Sequence, residues 1–225
     1  MSFKMSIQQN LQNIKSSLPE HVKLVAVSKT KPVSDIMEAY NTSQRIFGEN
    51  KIQEMVDKYN QLPKDIEWHM IGHVQRNKVK YMASFVNLIH GVDNFKLLKE
   101  INKQANKHNR VINCLLQIKI ASEDSKFGMT MEEASELIKS KSFQDLKHIN
   151  IKGVMGMATF TDNQNQIKQE FNFLKSTFDN LNELLPSNNK MLTISMGMSS
   201  DYELAINCGS TMVRVGSSIF GARNY

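Results

Sequence analysis

The sequence predicts an α/β fold, a single (β/α)8 barrel of the TIM type with an extra N-terminal helix. Apolar segments typical of buried strands alternate eight times with helical segments, and eight such units close a barrel. The strand segments are apolar throughout, which indicates a parallel sheet covered by helices. A doubly wound open sheet is the alternative, but residues 28–32 after its first strand contain no glycine for a phosphate loop. We therefore expect one barrel domain over residues 1–225, a length common for this fold.

The elements follow one another in a regular order. Apolar residues at three- and four-residue spacing predict an amphipathic helix over residues 5–18 that covers one end of the core. The first strand is expected at 23–28, Pro32 suits the first turn of the next helix, and Asn50 can cap the helix after that. The remaining strands are predicted at 45–49, 68–72, 86–91, 111–120, 151–157, 192–196 and 211–215. The helices between them are predicted at 33–41, 52–59, 75–83, 93–108, 131–140, 164–185 and 201–208.

A lysine stands at the end of the first predicted strand. Lys29 follows the apolar run 24–27 directly after Ser28. A lysine held at the end of a buried strand loses hydration, which lowers the pKa of its amine and lets it attack an aldehyde. Taken alone, the segment also fits an ordinary solvated lysine at the start of a loop.

The loops after the seventh and eighth strands favour an anion. In such barrels these loops often hold phosphate at the C-terminal ends of the strands. Small residues at 197–201 open a helix, and Gly216 permits close backbone approach beside the hydroxyls of Ser217 and Ser218. Each cluster alone also fits a helix cap or a turn. Their occurrence in both expected loops predicts a phosphate site.

Arg214 lies among apolar residues of the eighth predicted strand. A buried arginine needs an acceptor, because burying its charge unpaired is costly. That acceptor is either a structural carboxylate or a heterocyclic nitrogen of a bound cofactor.

Composition restricts the class of partner. The formal charge of +6 fits either nucleic acid or a small anion, but the lysines are scattered and no nucleic-acid-binding motif is present, so we expect no nucleic acid. Cys114 and Cys208 are too few for a disulfide framework and predict reduced, mostly buried thiols. No apolar run reaches membrane-spanning length and the N-terminus lacks a signal-peptide pattern, so we expect a cytoplasmic protein without membrane contact.

Two histidines raise the question of a metal site. His69 and His73 have the spacing of two ligands on one helix, which would suit metal-dependent hydrolysis. The apolar residues that follow His69, together with Gly72, place His69 on a strand instead. We therefore expect no metal at this pair.

Seven segments, in order from the first strand to the C-terminus, resemble the pyridoxal-phosphate homeostasis protein family. Each is short, but together they form a specific pattern. They are 24–32 (LVAVSKTKP), 47–54 (FGENKIQE), 68–78 (WHMIGHVQRNK), 90–94 (HGVDN), 153–157 (GVMGM), 195–203 (SMGMSSDYE) and 209–223 (GSTMVRVGSSIFGAR).

The resemblance implies a fold similar to the N-terminal barrel of alanine racemase, with pyridoxal 5′-phosphate held as a Schiff base on Lys29. It also implies that Arg214 faces the pyridine nitrogen and that Asn50 lies beside the ring. Phosphate would be held from one side by Ser199 and the backbone near Met198, and from the other side by Gly216 and Ser217. Ser217 stands where relatives often have threonine, a change that keeps the hydroxyl group.

The functional expectation is a pyridoxal-phosphate-binding protein of vitamin B6 and linked amino-acid homeostasis, a monomer without steady turnover that can supply apo-enzymes. A permanently charged arginine at the ring nitrogen makes the cofactor a weaker electron sink than an aspartate would. Because the chain ends at Tyr225, we expect no second domain like the one that supplies the tyrosine base of alanine racemase.

The alternative is a racemase or lyase acting on a small amino acid. Its second base would be one of Lys31, His69, His73 and Lys126.

Overall fold

The computed structural model describes residues 6–122 and 127–221. Eight parallel strands form a closed barrel in sequence order, which confirms the predicted fold. The strands are β1 (Lys23–Val27), β2 (Ile46–Glu49), β3 (Glu67–Met70), β4 (Leu88–Val92), β5 (Ile112–Gln117), β6 (Ile149–Met155), β7 (Thr193–Ser195) and β8 (Met212–Val215). Closure is made by β1, since Ala26 pairs with Phe47 of β2 on one side and with Val215 of β8 on the other.

Helices surround the barrel. They are α1 (Ile7–Ser17), α2 (Val33–Asn41), α3 (Ile52–Gln61), α4 (Phe95–Lys107), α5 (Met131–Lys139), α6 (Lys141–Gln144), α7 (Gln164–Glu183), α8 (Tyr202–Asn207) and α9 (Ser217–Phe220). Short 3₁₀ helices occur at Arg76–Tyr81 and Ser187–Asn189. The extra N-terminal helix α1 packs against α2 and α9, where the first and last units of the barrel meet. No helix within the two described ranges is long and apolar enough to cross a membrane.

The strands are apolar because both of their faces are buried. Val25 points into the barrel, where it packs with Leu88, Leu115, Met155 and Met212. Its neighbour Ala26 belongs instead to the larger core between the sheet and the helices. Successive residues of a strand face opposite sides, so a strand with two buried faces needs apolar residues at successive positions.

Several predicted boundaries differ from the structure. The helix predicted at 75–83 is a 3₁₀ helix, in which residues three apart lie on one side, so that Val79 and Met82 are both buried. The strand predicted at 111–120 ends at Gln117, and Ile118 forms an isolated bridge with Met129. The short helices α6 and α9 were not predicted.

The prediction that Asn50 caps the third helix is wrong. Lys51 occupies the N-cap position of α3, with an extended backbone and no side-chain capping bond. The turn between β2, which ends at Glu49, and the N-cap of α3 is therefore one residue longer than predicted. Asn50 consequently stays in the loop at the end of β2.

Candidate functional site

A cavity of about 450 Å³ lies at the C-terminal ends of the strands. The structure brings all seven predicted site residues to this one cavity, although they come from loops that are far apart in sequence. They are Lys29, Asn50, Met198, Ser199, Arg214, Gly216 and Ser217. Sequence reasoning did not assign Val27, Ile71 and Phe160, which also line the cavity. Two methionines, Met157 and Met198, also contribute to its wall.

Lys29 lies half-buried in the turn that follows β1. Both neighbours of Lys29 in the chain are bonded to side chains of α3. The backbone N–H of Thr30 donates to Glu54 Oε1 at 2.6 Å, and Lys58 Nζ donates to the carbonyl oxygen of Ser28 at 2.7 Å. Helix α3 therefore fixes the turn that carries Lys29.

A buried ionic cluster lies behind this turn. Glu49 Oε1 accepts hydrogen bonds from Ser28 Oγ at 2.5 Å and from Lys58 Nζ at 2.7 Å. Burial raises the pKa of Glu49 to about 7, and the attraction of Lys58 only partly opposes this effect. Glu49 Oε2 is buried without a hydrogen-bond partner in the described part of the chain, which fits a carboxyl group that holds a proton readily.

The loops after β7 and β8 are bonded to each other. Gly197 has a φ of 95°, and a Cβ atom there would lie only 2.9 Å from the Cα atom of Tyr202, so the turn requires glycine. The backbone N–H of Met198 donates to Asp201 Oδ1 at 2.6 Å, and that of Gly216 donates to Ser199 Oγ at 3.1 Å. Ser199 thus joins the two loops in which a phosphate site is predicted.

Arg214 lies on β8 with only 4% of its surface exposed. Its Nη1 donates to Ser195 Oγ at 2.6 Å, and its Nη2 donates to the carbonyl oxygen of Gly156 at 3.1 Å. No carboxylate in the described ranges lies within ion-pair distance of it, but Asp201 attracts its charge from farther away and partly opposes the effect of burial on its pKa. Burial lowers the pKa of Arg214 to about 10, so its guanidinium stays charged at neutral pH.

A line of hydrogen bonds continues from Ser195 through the barrel interior. Ser195 Oγ lies 3.0 Å from His90 Nδ1, and His90 Nε2 lies 3.1 Å from His69 Nδ1. Burial is the main cause that lowers the pKa of both rings, to about 3 for His69 and well below the ordinary value for His90, so both are neutral. Sequence reasoning missed His90 and Ser195. The available signal was a histidine in the otherwise apolar strand β4 and a serine next to the apolar residues Ile194 and Met196 at the end of β7.

The residues predicted as a second base are scattered. Lys31 lines the cavity, and its Nζ donates to the carbonyl oxygens of Phe220 and Gly221 at 3.0 and 3.3 Å. His69 lies instead in the barrel interior and faces a cavity at the opposite mouth. Lys126 lies outside the described residues.

The two histidines of the metal hypothesis are separated by the end of β3. His73 stands in the loop, with its ring stacked on Phe127 and its Nδ1 3.4 Å from Asp93 Oδ2, whereas His69 is buried on the strand. Across residues 6–122 and 127–221, no group of three or more His, Cys, Asp or Glu side chains could hold a metal ion.

The family model described as the alanine racemase N-terminal domain matches residues 4–224 of this chain. The pyridoxal phosphate homeostasis protein of Pasteurella multocida is 42% identical over 225 residues, which cover 97% of this chain and 95% of that protein. The protein of the same name from Schizosaccharomyces pombe is 42% identical over 208 residues, covering 90% of this chain and 85% of that protein.

Solved structures are similar over nearly the whole chain. PipY of Synechococcus elongatus without PLP is 32% identical, has a TM-score of 0.90, and is matched over 96% of this chain and 100% of that chain. The same protein with PLP bound gives a TM-score of 0.87 over the same shares. Alanine racemase of E. faecalis is 16% identical with a TM-score of 0.74, and the match covers 96% of this chain and 58% of that one. This last similarity concerns the fold alone.

Proposed function

Because this chain belongs to the alanine racemase N-terminal domain family, and within it to the pyridoxal phosphate homeostasis proteins, we propose that it binds pyridoxal 5′-phosphate and acts in vitamin B6 homeostasis. One observation carries the proposal. A half-buried lysine, a buried arginine and the serines of two adjoining loops all line a single cavity of about 450 Å³. A ligand that carries an aldehyde, a ring nitrogen and a phosphate offers one partner to each of them: the aldehyde to the lysine, the ring nitrogen to the arginine and the phosphate to the serines.

The donor set fits this cofactor. Lys29 is the amine that would hold the aldehyde as a Schiff base. The hydroxyls of Ser199 and Ser217, with the backbone near Met198 and Gly216, would hold the phosphate. When bound, pyridoxal phosphate supplies an electrophilic aldehyde carbon and a ring that accepts electrons.

Arg214 supports a role without steady turnover. Its guanidinium is charged at neutral pH and lines the same cavity, where it would face the ring nitrogen. A permanent positive charge opposes protonation of that nitrogen, which weakens the ring as an acceptor of electrons. We therefore propose that the protein holds the cofactor and supplies it to apo-enzymes.

The test is the visible absorption spectrum of the purified protein with added pyridoxal phosphate, before and after borohydride reduction. We expect a Schiff-base band that reduction converts into a stable adduct on the peptide that contains Lys29. Lys29→Ala should lose both the band and the adduct. The control is Lys31→Ala, which removes another lysine that lines the cavity and should keep both. No band in the wild type, or an adduct that persists in Lys29→Ala, would contradict the proposal.

Lys31 motivates the second candidate, a racemase or lyase acting on a small amino acid, because it places a second amine in the cavity. The two functions differ in proton exchange at the amino-acid α-carbon. Steady exchange in deuterated water that requires both Lys29 and Lys31 would establish the enzyme. Cofactor binding without such exchange across a panel of small amino acids is the outcome that the homeostasis function requires.

A further inference from the structure

We infer that Ser195 and His90 are positioning residues for Arg214, acting through one directed chain of hydrogen bonds that runs from the cofactor cavity to His69. This buried chain consists of Arg214, Ser195, His90 and His69, and we call it the barrel relay. The inference rests on the proposed function in one respect, namely that Arg214 faces a bound cofactor. The geometry of the relay itself is independent of any ligand.

The relay begins with a fixed donor. A guanidinium group can only donate, so Arg214 Nη1 donates to Ser195 Oγ across 2.6 Å. The hydroxyl proton of Ser195 then needs an acceptor, because Ser195 has no exposed surface. His90 Nδ1, at 3.0 Å, is the acceptor that the described residues provide.

The ring tautomers follow from this requirement. If His90 Nδ1 accepts from Ser195, the neutral ring carries its proton on Nε2 and donates to His69 Nδ1 across 3.1 Å. His69 must then also carry its proton on Nε2. The opposite arrangement, with both protons on Nδ1, would leave the buried hydroxyl proton of Ser195 without an acceptor in the described part of the chain.

All bonds of the relay therefore point the same way, from the cofactor cavity toward the N-terminal mouth of the barrel. His69 lines a second cavity at that mouth, so the relay crosses the barrel interior. Aligned hydrogen bonds polarise one another, so His90 makes Ser195 Oγ a stronger acceptor for the guanidinium. Ser195 and the carbonyl oxygen of Gly156 are then the two points that fix the plane of Arg214.

The first test uses the protein without cofactor. In protein labelled with ¹⁵N in the histidine rings, we expect the signals of His69 and His90 to report a proton on Nε2 and none on Nδ1. Variants His69→Gln and His90→Gln assign the signals. A proton on Nδ1 of either ring overturns the relay, and this result does not depend on whether pyridoxal phosphate binds.

The second test compares two buried serines. Ser195→Ala removes one of the two anchors of Arg214, whereas Ser210→Ala removes a buried hydroxyl that donates to backbone carbonyl groups, including that of Met196 at 2.8 Å. We expect Ser195→Ala to weaken pyridoxal phosphate binding about tenfold, the size of one lost hydrogen bond to a charged group. Ser210→Ala should bind as the wild type does.

A spectroscopic readout separates positioning from a general loss of structure. With Arg214 less well oriented, the ring nitrogen of the bound cofactor should protonate at higher pH in Ser195→Ala, which is measured by titrating its absorption band. Ser210→Ala should titrate like the wild type. If the two variants have equal affinity and equal titration curves, the inference is wrong. If the wild type binds no pyridoxal phosphate, the proposed function fails while the tautomer measurement still decides the relay.

Discussion

Glu49 has no exposed surface and lies at the end of β2, directly behind the turn that carries Lys29. Its Oε1 accepts from Ser28 and Lys58, yet burial outweighs these contacts and raises the pKa of the carboxyl group to about 7. When one oxygen of a buried carboxylate has no partner, the free energy of desolvation exceeds the stabilisation that the contacts of the other oxygen provide. The support of the lysine turn therefore contains a group that titrates near neutral pH.

At this scale we predict that Glu49→Gln changes how stability depends on pH. The pKa of Glu49 in the folded protein, about 7, exceeds its ordinary value of 4.5, so the folded state binds the proton more tightly than the unfolded chain. The stabilising contribution of the proton on Glu49 is therefore complete below the ordinary pKa of 4.5. It is lost as the pH rises through the folded-state pKa of about 7. Across this pH window, the free energy of unfolding of the wild type should fall by about 3 kcal/mol or less relative to that of Glu49→Gln.

The measurement is the free energy of unfolding in denaturant between pH 4 and pH 8. Glu67→Gln changes an exposed carboxyl group on the neighbouring strand β3 and serves as the control, which should keep the wild-type dependence. Parallel curves for the wild type and Glu49→Gln would mean that the pKa of Glu49 is the same in the folded and the unfolded state, and would contradict the prediction.

Among the elements, β6 has an irregularity in its pairing with β5 and approaches β7 closely at Gly153. Cys114 of β5 pairs with Ile151 and the next residue, Leu115, pairs with Gly153, so Lys152 is an extra residue in β6. A Cβ atom on Gly153 would lie 1.7 Å from the carbonyl oxygen of Thr193. The close approach of β6 to β7 at this position therefore requires glycine, because the backbone of Thr193 occupies the space of a side chain.

We expect Gly153→Ala to destabilise the protein by about 3 kcal/mol or more, since a rigid backbone carbonyl must move. Lys152→Ala, which alters the exposed extra residue of the same strand, should change stability by about 0.5 kcal/mol or less. Denaturant unfolding of the two variants and the wild type measures both effects. Equal stabilities of the two variants would show that β6 can shift without cost.

For the whole molecule, folding leaves both thiols buried, Cys114 in the barrel sheet and Cys208 beneath the helix layer. Cys114 lies on β5 without exposed surface, and Cys208 lies at the C-terminal end of the short helix α8 with 6% exposure. Burial raises the pKa of both thiols, so neither is present as the reactive thiolate at neutral pH. Reaction with a thiol reagent therefore requires the protein to open.

We predict that Cys114 reacts only through global unfolding, so that the free energy from its labelling rate equals the free energy from denaturant unfolding. Cys208 should react faster, because local opening of the six-residue helix α8 exposes it. Labelling of Cys208→Ala and Cys114→Ala separates the two rates. Equal rates for both thiols would show that α8 opens only with the barrel.

The sequence by itself determined the barrel and the positions of the residues around its cavity. Apolar runs of strand length and helical periodicity are local signals, and they located the eight units that the structure contains. Because parallel strands of a barrel end at one mouth, a lysine after the first strand and serines after the last two were expected to converge there. Lys29, Ser199 and Ser217 do line one cavity, and their roles toward a cofactor remain predictions.

Only the tertiary structure decided what surrounds these residues. The relay joins His90 to Ser195, which are 105 residues apart, and Lys58 reaches Glu49 and Ser28 from another element. Such pairs depend on which strands face each other and on their relative register, and neither property is encoded in local periodicity. The buried charge of Arg214 required an acceptor from the outset, but the identity of that acceptor is a property of the closed barrel.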